Sequence, residues 1–247
     1  MGTTLLIDGD VFVYQHTTAV ETPIHWGDDF WTLHADAGVA KAQLDIQLHI
    51  IKSELQATDV LIAFSDSLNF RHSVLPSYKS NRKKRKPVAY KAVRDYCRHT
   101  YKCLTLPTLE ADDTLGILAT GGCLYGLSGD RVVVTVDKDL KSVPCNLFNP
   151  QHPEDGVVAI SEQEADRNHL TQSLMGDTTD GYSGCPGIGA KRAERILDAD
   201  PTWAAVLNAY EKAGLSEDEA LKQARVARIC RQSDYDIENK KVKLWQP

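Results

Sequence analysis

No stretch of this chain stays apolar for the roughly 20 residues that a membrane span needs. The opening Met1-Gly2-Thr3-Thr4-Leu5 also lacks the basic segment of a secretory leader. The expected location is therefore the cytoplasm, with no membrane partner. Cysteine is sparse: the six residues (97, 103, 123, 145, 185, 230) form no Cys-x-x-Cys pair and no zinc pattern. That fits buried thiols in a reducing compartment better than a disulfide framework. The eight histidines are scattered without ligand spacing, so none is assigned a catalytic role. Internal repeats and low-complexity segments are absent. Positive charge is in deficit, and a net charge of −6 does not by itself suggest a nucleic-acid partner. With 247 residues, 42% apolar and 25% charged, the chain has the composition of one large α/β domain, or of one domain with a small helical appendage.

What the chain does have is carboxylate at particular places. Nine acids stand at Asp8, Asp66, Glu110, Asp112, Asp113, Asp137, Asp139, Asp177 and Asp180. Most follow an apolar run or begin a turn. The apolar runs 4–7, 60–64 and 132–136 read as buried strands ending at Asp8, Ser65-Asp66 and Asp137. Helical patterns over 38–57, over 88–101 and from about 110 alternate with them, and a further strand is expected near 103–106. Alternating strands and helices imply a mainly parallel twisted sheet flanked by helices, with sites beyond the carboxyl ends of the strands. Acids gathered there repel one another and are costly to desolvate, which hard divalent cations such as Mg²⁺ or Mn²⁺ offset. Singly, each acid has a bland reading as a solvated helix start or turn; it is the set that points to a metal-dependent phosphoryl-transfer site.

After residue 156 the character changes. A short strand at 156–160 precedes a helix to about Met175 that starts with the capping box Ser161-Glu-Gln-Glu164. Then come Gly184-Cys-Pro-Gly187-Ile-Gly189-Ala-Lys191-Arg192 and helices near 201–213 and 217–231. The expected division is a catalytic core over 1–160 and an all-helical subdomain over 161–247. The Gly-Ile-Gly string, near 184–195, has the form of a helix-hairpin-helix turn whose amides bind phosphate and whose Lys191 and Arg192 neutralise it.

Positive charge is also concentrated locally. Arg71-His72 and Tyr78-Lys79-Ser-Asn-Arg82 follow Asp66, and the run continues through Lys83, Lys84, Arg85 and Lys86. Such a run is ordinarily just solvated; directly after an active-site strand it is well placed to grip DNA. Trp26, Phe30 and Trp31 lie in an acidic, turn-rich stretch, where a long loop packed onto the body is expected.

Taken in order, Leu-Leu-Ile-Asp8-Gly, Phe-Ser-Asp66, Phe70-Arg-His72, Tyr78-Lys79-Ser-Asn-Arg82, Glu110-Ala-Asp112-Asp113, Thr-Val-Asp137-Lys-Asp139, Gly176-Asp177-Thr-Thr-Asp180 and the Gly-Ile-Gly hairpin resemble the flap endonuclease (5′-nuclease) superfamily, which has a PIN-like core. Within it the chain is most similar to the 5′→3′ double-strand DNA exonucleases of T-seven-like short-tailed phages. The resemblance implies two Mg²⁺ ions, replaceable by Mn²⁺. Asp8, Asp66, Glu110 and Asp112 would centre on one, Asp137, Asp139, Asp177 and Asp180 on the other, and Asp113 would support both. It implies Lys79 and Arg82 at the scissile phosphate, with Arg71, His72, Tyr78, Lys83, Lys84, Arg85, Lys86, Gly187, Gly189, Lys191 and Arg192 at the DNA, and a K⁺ at the hairpin. The implied activity is 5′→3′ hydrolysis of duplex, nicked or 5′-flapped DNA by a monomer, with side activity on RNA–DNA hybrids. A structure-specific flap endonuclease for primer removal is the alternative. Two features depart from the pattern: the segment from Arg82 to Glu110 is short, and Asp10, outside the usual set, reads as an extra outer-shell ligand or a surface residue, with the second preferred.

Overall fold

A computed structural model describes residues 2–82 and 85–247; Lys83 and Lys84, expected at the DNA, lie outside the described residues. Along the chain run β1 (Thr3–Asp8), α1 (Gly9–Ala19), β2 (Glu21–His25), β3 (Trp31–Ala35), α2 (Ala37–Glu54), β4 (Asp59–Ala63), α3 (Arg71–Val74), α4 (Tyr90–Thr100), β5 (Lys102–Leu104), α5 (Ala111–Thr120), β6 (Asp130–Val134), β7 (Cys145–Phe148) and β8 (Val157–Ile160). The remainder holds α6 (Glu162–Met175), α7 (Ala190–Ala199), α8 (Trp203–Lys212), α9 (Glu217–Ala227), β9 (Tyr235–Asp236) and β10 (Lys241–Val242).

The central sheet has the order β5-β4-β1-β6-β7-β8, parallel except for the last pair. It is the mainly parallel, helix-flanked sheet that the strand–helix alternation predicts. The inner strands β4, β1 and β6 are covered on both faces, so their later residues, short of Asp8, are apolar rather than alternating with polar ones. Leu5, Ile7, Ile62, Val132 and Val134 pack with Phe12, Leu44 and Leu48 from α1 and α2 on one side. Leu6, Leu61, Val133 and Leu147 meet Leu115 and Leu118 of α5 on the other. A separate core of Leu170, Leu174, Leu197, Val206, Tyr210 and Ala220 joins α6 to α9. Because β4, β1 and β6 are neighbours, the residues that follow them share one rim of the sheet. No helix among the described residues is long and apolar enough to cross a membrane.

Several expectations need correction. Residues 21–35 are not a loop packed on the body but the antiparallel hairpin β2–β3. Its Trp26, Phe30 and Trp31 are exposed at 64%, 61% and 57%. The helix α1 follows Asp8 directly; its apolar residues are too evenly spread for periodicity to reveal it. The C-terminal third is not all helical: β9 and β10 pair there. The chain after α9 also returns to the sheet, with Ile229 entering the α5 face of the core and Cys230 and Tyr235 packing beside Leu109 and Ile117. Of the cysteines, all free, Cys97, Cys185 and Cys230 are buried but Cys123 is exposed.

Candidate active site

Each site carboxylate is delivered by the end of an element. Asp8 closes β1 and caps α1, accepting from the Val11 amide at 3.1 Å, while Thr135 donates its hydroxyl to the other oxygen at 3.1 Å. An aspartate in this position satisfies an otherwise unpaired amide of the first helical turn. Asp112 is carried by the first turn of α5, and its Oδ1 is buried with no hydrogen-bond partner. Asp137 follows β6 and caps the turn 138–142 by accepting from the Asp139 amide at 2.9 Å. Asp177 holds the turn after α6, accepting from the Thr179 amide at 2.6 Å. The Tyr78 hydroxyl lies 2.8 Å from Glu110 and 3.1 Å from Asp180 and shares its one proton between them, which joins that turn to the start of α5.

Asp8, Glu110, Asp112, Asp137, Asp139, Asp177 and Asp180 line one cleft of about 730 Å³, with Lys79, Arg82, Tyr78, Lys86, Ser65 and Tyr90. Among the described residues no three His, Cys, Asp or Glu side chains stand, as placed, where they could together hold a metal ion; the acids line the cleft wall.

Electrostatics mark the acids as strained by one another. Burial lifts Asp8 to about 7, opposed by its bond from Val11 and reinforced by the charges of Asp10 and Asp137. Asp112 is pushed well above the ordinary carboxylate range by burial and by Asp8, Asp137 and Glu110. Asp139 rises to about 6, through burial and then Asp137. Glu110 goes the other way: burial alone would raise it, but Arg71 and Lys79 outweigh burial and hold it at about 2. An orphaned buried oxygen inside a ring of under-neutralised hard oxygen donors is what a divalent cation would satisfy. The residues present therefore fit such an ion.

The basic side chains are paired with this ring. Lys79 donates to Glu110 at 2.5 Å and lies 3.5 Å from Asp180, and Arg82 pairs with Asp180. The Lys79 amide donates to the Asp180 carbonyl at 2.7 Å, with Lys79 in the left-handed region at φ 53°. Lys86 lines the cleft over the Tyr90 ring, 4.1 Å from its centre. Arg85 turns away to a two-point pair with Glu21 at the foot of the β2–β3 hairpin.

Two expected metal residues, Asp66 and Asp113, stand outside the cleft, and two expected DNA contacts, Arg71 and Tyr78, border it but are engaged within the protein. Asp66 is outside the cleft lining because its oxygens take the amides of Ser67 (2.7 Å) and Thr108 (2.8 Å), which secures the turn after β4. Asp113 is fully buried and bound in two places by Arg71 (2.7 and 2.8 Å) and by the Cys230 amide (3.0 Å), so its carboxylate is committed to the fold. Arg71 borders the cleft but is only 3% exposed, and its remaining donors go to Glu110 and to the carbonyls of Val226 and Arg228. Tyr78 is buried as the link described above, leaving exposed His72 edge-on to its ring. Asp10, expected at the surface in preference to the outer shell, lines the cleft. The only signal for it was its place two residues after Asp8.

At the other end, Gly187, Gly189, Lys191 and Arg192 are exposed at the turn into α7. Gly187 needs its lack of side chain, with φ at 73°. Gly189 has ordinary backbone, and a side chain there would meet open space.

Residues 3–167 match the family described as 5′-3′ exonuclease, N-terminal resolvase-like domain. The chain is 30% identical to the exodeoxyribonuclease of Enterobacteria phage T3, over 98% of this chain and 92% of that protein. It is 29% identical to the exonuclease of Escherichia phage T7, over 98% and 93%. Among solved structures, the bacteriophage T5 flap endonuclease in a pseudo-enzyme-product complex with DNA and metal ions superposes with a TM-score of 0.64 at 15% identity, covering 91% of this chain and 88% of that one.

Proposed function

The chain belongs to the 5′-3′ exonuclease family, and from that premise we propose that it is a divalent-metal-dependent deoxyribonuclease. It hydrolyses duplex DNA from 5′ ends to 5′-phosphorylated nucleotides, and its place of action is the cytoplasm of a phage-infected cell. The observation that carries this reading is the convergence of eight carboxylates, Asp10 included, on one cleft that holds the unpartnered Oδ1 of Asp112.

In this reading Asp8, Glu110 and Asp112 hold one Mg²⁺ and Asp137, Asp139, Asp177 and Asp180 a second. Bound there, divalent cations supply Lewis acidity and neutralise charge at the phosphodiester. The protein's own part is positioning. Lys79 and Arg82 exchange their carboxylate partners for the non-bridging oxygens of the scissile phosphate, adding fixed positive charge where the transition state gains negative charge. Tyr78 keeps Glu110 and Asp180 in register while that exchange occurs. Val226, Ala227 and Ile229 give the cleft an apolar wall that limits water.

The proposed division is a catalytic core over 1–160 and a DNA-holding part over 161–247, with the stretch from Arg228 onward returning to the core. The amides at Gly187 and Gly189 and the charges of Lys191 and Arg192 hold the duplex away from the cut, with a K⁺ at the hairpin. A monomer suffices for this arrangement, and RNA–DNA hybrids are a secondary substrate.

The test is product analysis on 5′-labelled blunt, nicked and flapped DNA with Mg²⁺, beside an EDTA control and Asp112→Asn. Mononucleotides and short oligonucleotides from the blunt end, absent in both controls, are expected. Release of intact flaps alone would replace this reading with that of a structure-specific flap endonuclease.

A further inference from the structure

Asp10 lies on the first turn of α1, and nothing above gives it a task. Its surroundings do. Oδ2 accepts the Ser65 amide at 2.9 Å, and Oδ1 accepts the Tyr90 hydroxyl at 2.7 Å. Ser65 passes the link on: its Oγ accepts the amide of Ala111, the first residue of α5, at 2.9 Å. Its carbonyl is held by Arg94 at 2.7 Å. The residue after Ala111 is Asp112, the acid with the unpartnered oxygen. Gly9 makes the approach possible, because a Cβ there would stand 2.6 Å from the Ala63 carbonyl oxygen and 2.6 Å from the Phe64 ring. With glycine, the first turn of α1 rests directly on the end of β4.

We propose that Asp10 is a positioning residue for the metal-facing carboxylates: through Ser65 it fixes the start of α5 relative to β1, and so fixes Asp112 relative to Asp8. The chain of bonds runs Tyr90–Asp10–Ser65–Ala111 across α4, α1, the end of β4 and α5. It is what holds elements distant in sequence at one spacing. Both oxygens of Asp10 are engaged by protein donors, which distinguishes it from Asp112. Hydrogen bonds that orient metal-holding groups typically influence affinity or activity by about 10- to 100-fold. The inference rests on the metal-dependent reading above.

The test is calorimetric Mn²⁺ titration of the full chain without DNA, followed by kcat, KM for duplex and Tm. The variants are Asp10→Asn, Ser65→Ala, their combination and Tyr90→Phe, with Asp112→Asn as reference. Asp10→Asn and Ser65→Ala should each weaken Mn²⁺ binding about tenfold and lower kcat, with KM within about twofold of wild type. The combination should lose little more than either alone, because both break one link. Tyr90→Phe, which removes a single atom, should show a smaller loss in the same direction. Wild-type Mn²⁺ affinity in Asp10→Asn overturns the proposal. Should that variant fail to fold, wild-type affinity in both Ser65→Ala and Tyr90→Phe overturns it equally. Loss of binding in Asp10→Asn as complete as in Asp112→Asn also overturns it, making Asp10 a ligand. If wild type binds no Mn²⁺, or Asp112→Asn cleaves normally, the metal-nuclease reading itself fails, and the two failures are distinguishable.

Discussion

Asp112 concentrates the chemistry of the cleft in a single side chain. A carboxyl held above its unfolded value adds stability below the unfolded pKa and loses it as pH rises through the folded one. Asp139 at about 6, Asp8 at about 7 and Asp112 above the ordinary range all act in that sense. The metal-stripped protein should therefore melt at falling temperature as pH rises from about 5 to 8. Added Mn²⁺ should restore Tm at pH 8 far more than at pH 5. Asp112→Asn should raise the metal-free Tm at pH 8 in differential scanning while ending cleavage. Arg71 shows the opposite use of buried charge. Its two-point pair with Asp113 lies wholly inside the protein. Arg71→Met strands that carboxylate and should cost about 3–5 kcal/mol in urea unfolding. Asp8 and Asp137 were legible in sequence, because an acid ending a short apolar run marks a strand end. Asp66 carries the same mark, yet its oxygens turn back onto local amides. Arg71 was illegible because the carbonyls it binds belong to Val226 and Arg228, far along the chain.

At the scale of elements, α6 and α9 are joined by a histidine that has no place in the cleft. His169 is 1% exposed and meets the Ala224 carbonyl at 2.8 Å. Burial and the neighbouring charges of Arg228 and Arg231 push it from 6.5 down to about 3. The unfolded chain thus binds a proton below 6.5 that the folded chain refuses. Against the opposite contribution of the cleft carboxyls, the contribution of His169 to stability therefore falls as pH drops from 6.5 toward 3, by at most about 1.4 kcal/mol per pH unit. His169→Gln should flatten that slope in urea titrations at pH 6.5 and 5, whatever its effect at neutral pH. The helix α7 makes a different prediction. If Lys191 neutralises one phosphate, Lys191→Ala should reduce the slope of log affinity against log salt by about 1, equally for all sequences. The capping box at Ser161 and the helix behind it were readable from local pattern. The β2–β3 hairpin was not: Pro23 and an acidic turn mask its alternation, and its aromatic residues suggest burial that the tertiary fold does not provide.

For the whole molecule, the parallel sheet followed from alternating strands and helices, but the strand order did not. That order decides the site, because only the adjacency of β4, β1 and β6 brings their ends to one rim. The return of the last segment to the sheet was equally hidden, being fixed by packing of Ile229 and Tyr235 rather than by any local signal. The central claim is that this rim exists to hold divalent cations. Equilibrium dialysis of the DNA-free chain against Mn²⁺ at neutral pH tests it most directly. Two saturable ions per wild-type chain, with loss of at least one in Asp112→Asn, is the predicted result. No saturable ion in the wild type, or binding untouched by Asp112→Asn, would contradict it.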